Sequence, residues 1–506
     1  MELDRDSVVP LTQQIIEQVR SQIERGELAP GDRLPTESEL CARLGVSRKP
    51  VRNALGQLQK MGVLVRRPRR GTFVSPAAER RIAVAPAPIA VVVPEGRWLD
   101  PLQRAAARRN AAEPRRPVAL APTMVDLARL RRDLIQAVAR GAAPDISLVD
   151  SVWVAEFAER DYIHPLDAID PRLAAALASD LFPALRQQNS VGGRLYALPM
   201  EADVAGLWLR RDWFAAEELP PPATWAEWVA CARHFQRPAV RARYGLGAYP
   251  LAFVGGLRGG ETTTYQLTPL LWSTGADVFA DGAVALESAA ARRAVAFVRD
   301  LVRVERVASP EVVDFSWDGA VQAMAAGSAA MALGGSYEGR LIPDAAGWDA
   351  TTAAAKLAFV PIPAGLGGAP ASLVGGMSYV VYRQSRRPET AADLLARTMA
   401  PAEVARFCVE TGQNPPTRSA AAALAETDAH FLRLTAPLLP AARARWPLPH
   451  YAQVSAQLAR MFEDAITGAC APAEAVARAA AVIAGLTGLP EAPEPDGRRP
   501  LRARGA

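Results

Sequence analysis

The chain has 506 residues, half of them hydrophobic, with 58 Lys and Arg against 53 Asp and Glu and a formal charge of +5. That length accommodates about three domains and that apolar content several cores, which excludes a fibrous or wholly disordered chain. No uninterrupted apolar run reaches membrane length, and MELDRDSVVP has neither a basic n-region nor an apolar h-region, which points to the cytoplasm and to no membrane partner.

In chain order, Leu11 to Arg25 sets Ile15, Ile16, Val19 and Ile23 at helical spacing and stops at Gly26, predicting a first helix. Thr36 with Glu39 three residues on is a capping box opening a second, packed through Leu40, Ala42 and Leu44. Gly45 follows, where a sharp turn costs least without a Cβ, and Val46 re-enters the core. Ser47 is expected to cap a third helix whose stripe of Val51, Ala54, Leu55 and Leu58 is buried. Arg48, Lys49 and Arg52 fall on its other side. The first turn of such a helix enters the DNA major groove, where guanidinium groups grip guanine edges or phosphates.

After Gly62, VLVRRPRRGTFV reads as two short strands around a turn, a wing whose Arg66, Arg67, Arg69 and Arg70 lie along phosphate. From Cys41 to Ser75 there is no Asp or Glu. One-sided charge of this kind fits a polyanion.

These residues resemble a known family. PLTQQIIEQVRSQIERGELAPGDRLPTESELCARLGVSRKPVRNALGQLQKMGVLVRRPRRGTFV is similar over its whole length to the winged-helix domain of GntR-type transcription factors, including Pro30 to Pro35, the Val-Ser-Arg turn and the Gly-Thr-Phe-Val wing end. The resemblance implies DNA contacts at Ser47, Arg48, Lys49, Pro50, Arg52 and Gly71, and a homodimer on inverted repeats of double-stranded operator DNA. Ser38, where some members place arginine, and Pro50, where Thr is common, depart from the pattern and leave the operator open.

The head is expected to occupy residues 1–76. An Ala/Pro-rich, charged linker follows over 77–88. IAVVV and PVALA are then short apolar runs suited to buried strands, and Val125 to Arg140 reads as a helix, the alternation of an open α/β sheet. The segment 488–506 has too little apolar content to fold.

The second part also resembles a family. ARGAAPDISLVDSVWVAEFAERDYIHPLD, GGRLYALPMEADVAGLWLRRDWF, TPLLWSTGADVFADG, GAVQAMAAGSAAMALGGSYEG, FVPIPAG, LVGGMSYVVYRQSRRPETAADLL and TGQNPPTRSA follow the order of family-1 extracellular solute-binding proteins of the maltose-binding type. The resemblance implies a two-lobed α/β periplasmic-binding-protein-like domain of type II over 89–487, with lobe crossings near 200–204, 373–377 and 413–417. The fold class is therefore multidomain, a winged helix-turn-helix (α+β) followed by that domain.

A cleft for a polyhydroxylated ligand needs aromatic faces for C–H surfaces and polar groups for hydroxyls. Candidates at loop or strand-end positions are Asp150, Trp153, Glu201, Asp203, Trp272, Trp317, Tyr337 and the backbone at Gly375 and Gly376. The bland alternative for Trp272 is burial in an apolar helix. Trp225 and Trp228 read as helix start and core, and Trp208 and Trp213 as strand-end packing.

An enzyme is disfavoured. A pyridoxal phosphate domain needs a Schiff-base lysine, and of Lys49, Lys60 and Lys356 two lie in the head while Lys356 has no phosphate-cradling cluster beside it. His164, His234, His430 and His450 stand alone, without metal-ligand spacing, and Cys41, Cys231, Cys408 and Cys470 are scattered. Neither a P-loop nor a Gly-x-Ser-x-Gly elbow is present. The expectation is a DNA-binding regulator, a repressor, with no cofactor and no metal. Its second domain senses a small-molecule effector, a sugar or oligosaccharide, with a polyamine, phosphate ester or vitamin as the alternative.

Overall fold

The computed structural model of the protein describes residues 3, 11–78, 88–114, 116–424 and 430–492; most of the expected linker and of the expected tail lies outside them. In the head, helices Leu11–Glu24, Glu37–Leu44 and Arg48–Lys60 precede a hairpin of Leu64–Arg67 and Gly71–Val74. Both halves of the capping box form, Thr36 N–H donating to Glu39 at 2.7 Å and Glu39 N–H to Thr36 Oγ1 at 3.3 Å. Gly45 ends that helix at φ 62°, the left-handed region where a Cβ is costly. Ile15, Ile16, Val19 and Ile23 meet Val51, Ala54, Leu55 and Leu58 in one core. Ser47 corrects one expectation. It occupies the N-cap position, but its side chain makes no capping hydrogen bond.

Beyond the head the described chain builds two sheets. The first runs in the order Leu120–Met124, Ile89–Val93, Ile146–Asp150, Met377–Val381, Ala197–Pro199, its first three strands parallel and the last two joined antiparallel. Successive strand side chains point to opposite faces, so Ile146 and Leu148 enter one core with Ile89 and Val91 while Val149 joins Val92 in another. Burial on both faces explains why IAVVV is continuously apolar rather than alternating. PVALA departs from expectation, since its strand begins at Leu120 and lies half-buried at the sheet edge. The Asn110 amide satisfies the Val118 backbone from both sides, at 2.7 and 2.8 Å, and so replaces a ladder partner there.

The second sheet is organised by Asp203–Arg210, which pairs antiparallel with Met331–Gly335, Leu357–Val360 and Leu373–Gly375. Leu207 and Leu209 pack into the large core of this lobe and Trp208 into the cluster on the other face.

The two sheets exchange chain at one place. The backbone leaves the first sheet after Pro199 and enters the second at Asp203; it leaves the second at Gly375 and re-enters the first at Met377. A third segment touches both, Ala202 N–H donating to the Asn414 carbonyl at 2.8 Å. The Asn414 amide donates to Ser336 Oγ at 2.9 Å, and that oxygen also accepts from Val204 N–H at 3.0 Å. This buried network ties the crossings into a single unit.

The head lies against the first lobe, where Thr12, Gln13, Gln57 and Met61 face Asn110 and Val118 across a cavity of about 580 Å³.

Candidate ligand cleft and DNA-binding face

Register brings the acids of the crossing together. Asp203 stands opposite Gly375, and Asp150, at the end of its strand, stands opposite Met377, so Gly375, Gly376 and Met377 run between the two carboxylates. Glu201, 1% exposed, precedes Asp203 by two residues and accepts from Met377 N–H at 3.1 Å through Oε1. Gly376 takes φ 137°, and a Cβ there would lie 2.8 Å from the Glu201 carbonyl, so only glycine lets the chain turn back this close. At Gly375 a Cβ would fall 2.5 Å from Arg445 Nη2.

Arg445 is the cation at the centre of this group. Buried to 3% exposure, it donates to Glu261 at 2.5 Å and lies 3.9 Å from Asp150. Glu261 heads the helix Glu261–Trp272, a position where the helix dipole favours an anion, and also accepts from Tyr451 at 2.7 Å and Ser455 at 2.6 Å. One turn along that helix, Tyr265 faces Tyr337 with ring centroids 6.3 Å apart at 54°. Tyr337 and the buried Glu338 fold back over the strand end at Gly334 and Gly335, where a Cβ would collide with them.

The electrostatics follow from burial with too few cations. Desolvation, then the nearby Asp203 charge, holds Glu201 well above the usual carboxylate range. Desolvation and Asp150 push Asp203 up to about 7, against the pull of Arg445 and Arg97. Asp150 is raised by burial and restrained mainly by Arg445, and burial raises Glu338 to about 8. Buried polar atoms without a hydrogen-bond partner here include Glu201 Oε2, Asp203 Oδ1, both carboxylate oxygens of Glu338, Tyr265 OH and Arg445 Nε. Such groups are costly unless something else satisfies them.

Of the residues expected to line a cleft, the structure brings Asp150, Glu201, Asp203, Tyr337, Gly375 and Gly376 together. Trp317 is 51% exposed, and the structure does not bring it in with them. Trp153 is half-buried and packs partly into the first-lobe core beside Phe157. The expectation for Trp272 is corrected. It is buried, its indole N–H goes to Asp277 at 3.2 Å, and Arg443 covers its ring at 4.3 Å, so it backs the tyrosines instead of offering a face.

Sequence reasoning missed Glu261, Tyr265, Glu338 and Arg445. A glycine pair before a helix, GGE, was the one available signal for Glu261. A second cavity, of about 400 Å³ between Trp208, Arg340, Trp348 and Val409, contains none of the acids.

In the head, Arg48, Lys49, Arg52, Arg66, Arg67, Arg69 and Arg70 are all exposed, and Pro50 sits in the first turn where a missing N–H costs nothing. Arg69 takes φ 61° at the wing tip, and Arg67 covers the Phe73 ring at 4.9 Å. Gly71 has a structural role as well, since a Cβ there would meet Arg33 Nε at 3.0 Å. Glu37 of the preceding helix lies 3.5 Å from Arg52.

Comparison with known proteins finds two separate matches along the chain. Residues 11–74 match the gntR family of bacterial regulatory proteins, and residues 126–397 match the bacterial extracellular solute-binding proteins. A probable ABC transporter-binding protein of Deinococcus radiodurans is 27% identical over 292 residues, 57% of this chain and 66% of that protein. The mannosyl-D-glycerate transport/metabolism system repressor MngR of Escherichia coli is 52% identical over 65 residues, 13% of this chain and 27% of that protein. The transcriptional repressor NagR of Bacillus subtilis is 45% identical over 75 residues, 15% of this chain and 31% of that protein. The chain thus spans just under two thirds of the first relative and less than a third of either repressor. Among solved structures, a solute-binding protein of Thermotoga lettingae bound with α-D-tagatose superposes with a TM-score of 0.66 at 23% identity, covering 79% of this chain and 99% of that one. Maltose-bound MalE3 of T. maritima gives 0.65 at 22%, with the same coverage. These likenesses establish the fold of the two-lobed part.

Proposed function

The chain belongs to the bacterial extracellular solute-binding proteins and carries a gntR-type DNA-binding head, and from that premise we propose that it is a transcriptional repressor whose two-lobed domain senses a sugar or oligosaccharide. Operator DNA is held by Arg48 and Arg52 in the major groove and by Arg66, Arg67, Arg69 and Arg70 on phosphate. The protein acts as a homodimer where the DNA is, in the cytoplasm.

The observation that carries the sensor reading is the group of buried, unpartnered polar atoms around Glu201, Asp203, Tyr265 and Arg445 at the crossing between lobes. It stands at the crossing between the lobes, where a bound ligand would complete its hydrogen bonds. A DNA-binding head gives a ligand-driven hinge something to control. The head faces the first lobe across a shared cavity, which supports a link between the two parts.

Thermal-shift screening of the full chain against mono- and oligosaccharides tests the reading, since a ligand bound only by the native state raises the melting temperature. A hit must also change operator affinity. A panel that leaves the melting temperature unmoved would count against the sensor.

A further inference from the structure

Resting on the sensor reading, we propose that the ligand is a polyhydroxylated molecule carrying a protonated amine, with its ammonium seated at Glu201 and Asp203. The argument starts from a count of charge. Five carboxylates gather at the crossing, Asp150, Glu201, Asp203, Glu261 and Glu338, against two guanidinium groups, Arg445 and Arg97. Arg97 is engaged 3.0 Å from Glu95, an acid outside the group. Arg445 is committed to Glu261 at 2.5 Å and is 3.9 Å from Asp150. Glu261 is further satisfied by Tyr451 and Ser455.

What remains is acceptor capacity without a cation. Glu201 Oε2 and Asp203 Oδ1 are buried and receive no hydrogen bond, and the Glu201 side chain is 1% exposed. A neutral hydroxyl supplies one proton to such an oxygen and leaves the charge where it was. An ammonium supplies three donors and a positive charge, enough to answer the open oxygens of both Glu201 and Asp203. A metal ion fits less well, because among the described residues no group of three His, Cys, Asp or Glu could hold one.

The polyol part follows from the neighbours. The Tyr265 and Tyr337 rings stand 6.3 Å apart at 54°; Arg445 lies over Tyr265 at 5.7 Å, so Tyr337, the less buried of the two, is the face for C–H surfaces and a nearby cation. The Tyr265 hydroxyl is itself buried and without a partner, as is Arg445 Nε, a donor suited to a ligand oxygen. A simple diamine would leave both unanswered. In the free protein, burial raises Asp203 to about 7, so a resident proton does part of the work that the ammonium takes over.

Matched probes differing in charge decide the matter, measured by titration calorimetry and melting temperature on the full chain at pH 7, where the amines are protonated: glucosamine against glucose, N-methylglucamine against sorbitol, and N-acetylglucosamine as the uncharged bulky control. The expected result is saturable binding of an amine member at least about tenfold tighter than its neutral partner. Asp203→Asn should bring the pair to near parity while its own melting temperature holds or rises. A neutral member bound as tightly as its amine, or an Asp203→Asn protein that keeps the preference, overturns the proposal and leaves the sugar-sensor reading intact. Putrescine binding as tightly as the amino polyols overturns the polyol part. Silence from every probe, neutral maltose included, would count against both.

Discussion

Arg445 donates to Glu261 at 2.5 Å and joins the segment after strand Arg443–Ala444 to the start of the helix Glu261–Trp272, with 3% and 29% of their side chains exposed. Removing one partner of a pair this well buried leaves the other charge uncompensated. Arg445→Ala is therefore expected to cost about 3 to 5 kcal/mol in urea unfolding. Glu261→Gln in the same background should return part of it, and strict additivity of the two changes would show that the pair is not coupled.

The head offers a separable test. Arg48→Ala should cost about 1 to 3 kcal/mol on the preferred operator and relax base preference, as expected for a groove contact. Arg69→Ala should weaken all DNA alike and reduce the slope of log affinity against log salt by about 0.9. Gel shifts in which Arg48→Ala binds its operator like wild type would remove that residue from the recognition surface.

Stability should fall as pH rises from about 5 to 8. The folded protein keeps protons on Asp203 up to about pH 7 and on Glu338 up to about pH 8, whereas the unfolded chain releases them in the ordinary carboxylate range. Unfolding therefore releases protons between those limits, and the cost of the buried charge grows until each folded-state value is passed. The facing groups set its size: Asp150, Glu201 and Glu261 add to it, while Arg445 and Arg97 oppose it. Asp203→Asn should flatten the pH profile of the melting temperature; an unchanged slope would mean that Asp203 ionises freely.

Trp272 and Trp317 should behave oppositely. Trp272→Ala empties a packed site beneath the tyrosines and is expected to cost about 3 to 5 kcal/mol of stability. Trp317→Ala, at an exposed position, should leave stability within about 0.5 kcal/mol and ligand affinity unchanged. A loss of affinity in calorimetry would return Trp317 to the cleft.

Coupling between the halves must be reciprocal. If ligand weakens operator binding, operator weakens ligand binding by the same factor, about 5 to 150-fold in natural couplings. Ligand affinity measured with and without operator gives that factor directly, and equal values would mean a passive tether.

The sequence by itself determined the three-helix head and its wing, because capping box, glycine turn and apolar stripe are all local, and their residues lie within a few turns of one another. It also determined the alternation of strand and helix in the larger part and the acids at the first crossing, since Glu201 and Asp203 sit in a run that the ordered motifs identify. Only the tertiary structure decided what faces those acids. Glu261 and Arg445 are 184 residues apart and meet through the pairing of distant strands and the packing of a helix against them. Trp272 shows the same limit from the other side: its place in an apolar helix is legible locally, but whether its face is open depends on Trp446 and Arg443, which arrive from elsewhere in the fold. Local pattern is written in neighbouring residues, whereas the charge balance of a cleft is a sum over segments that meet only after the chain has crossed between lobes and back.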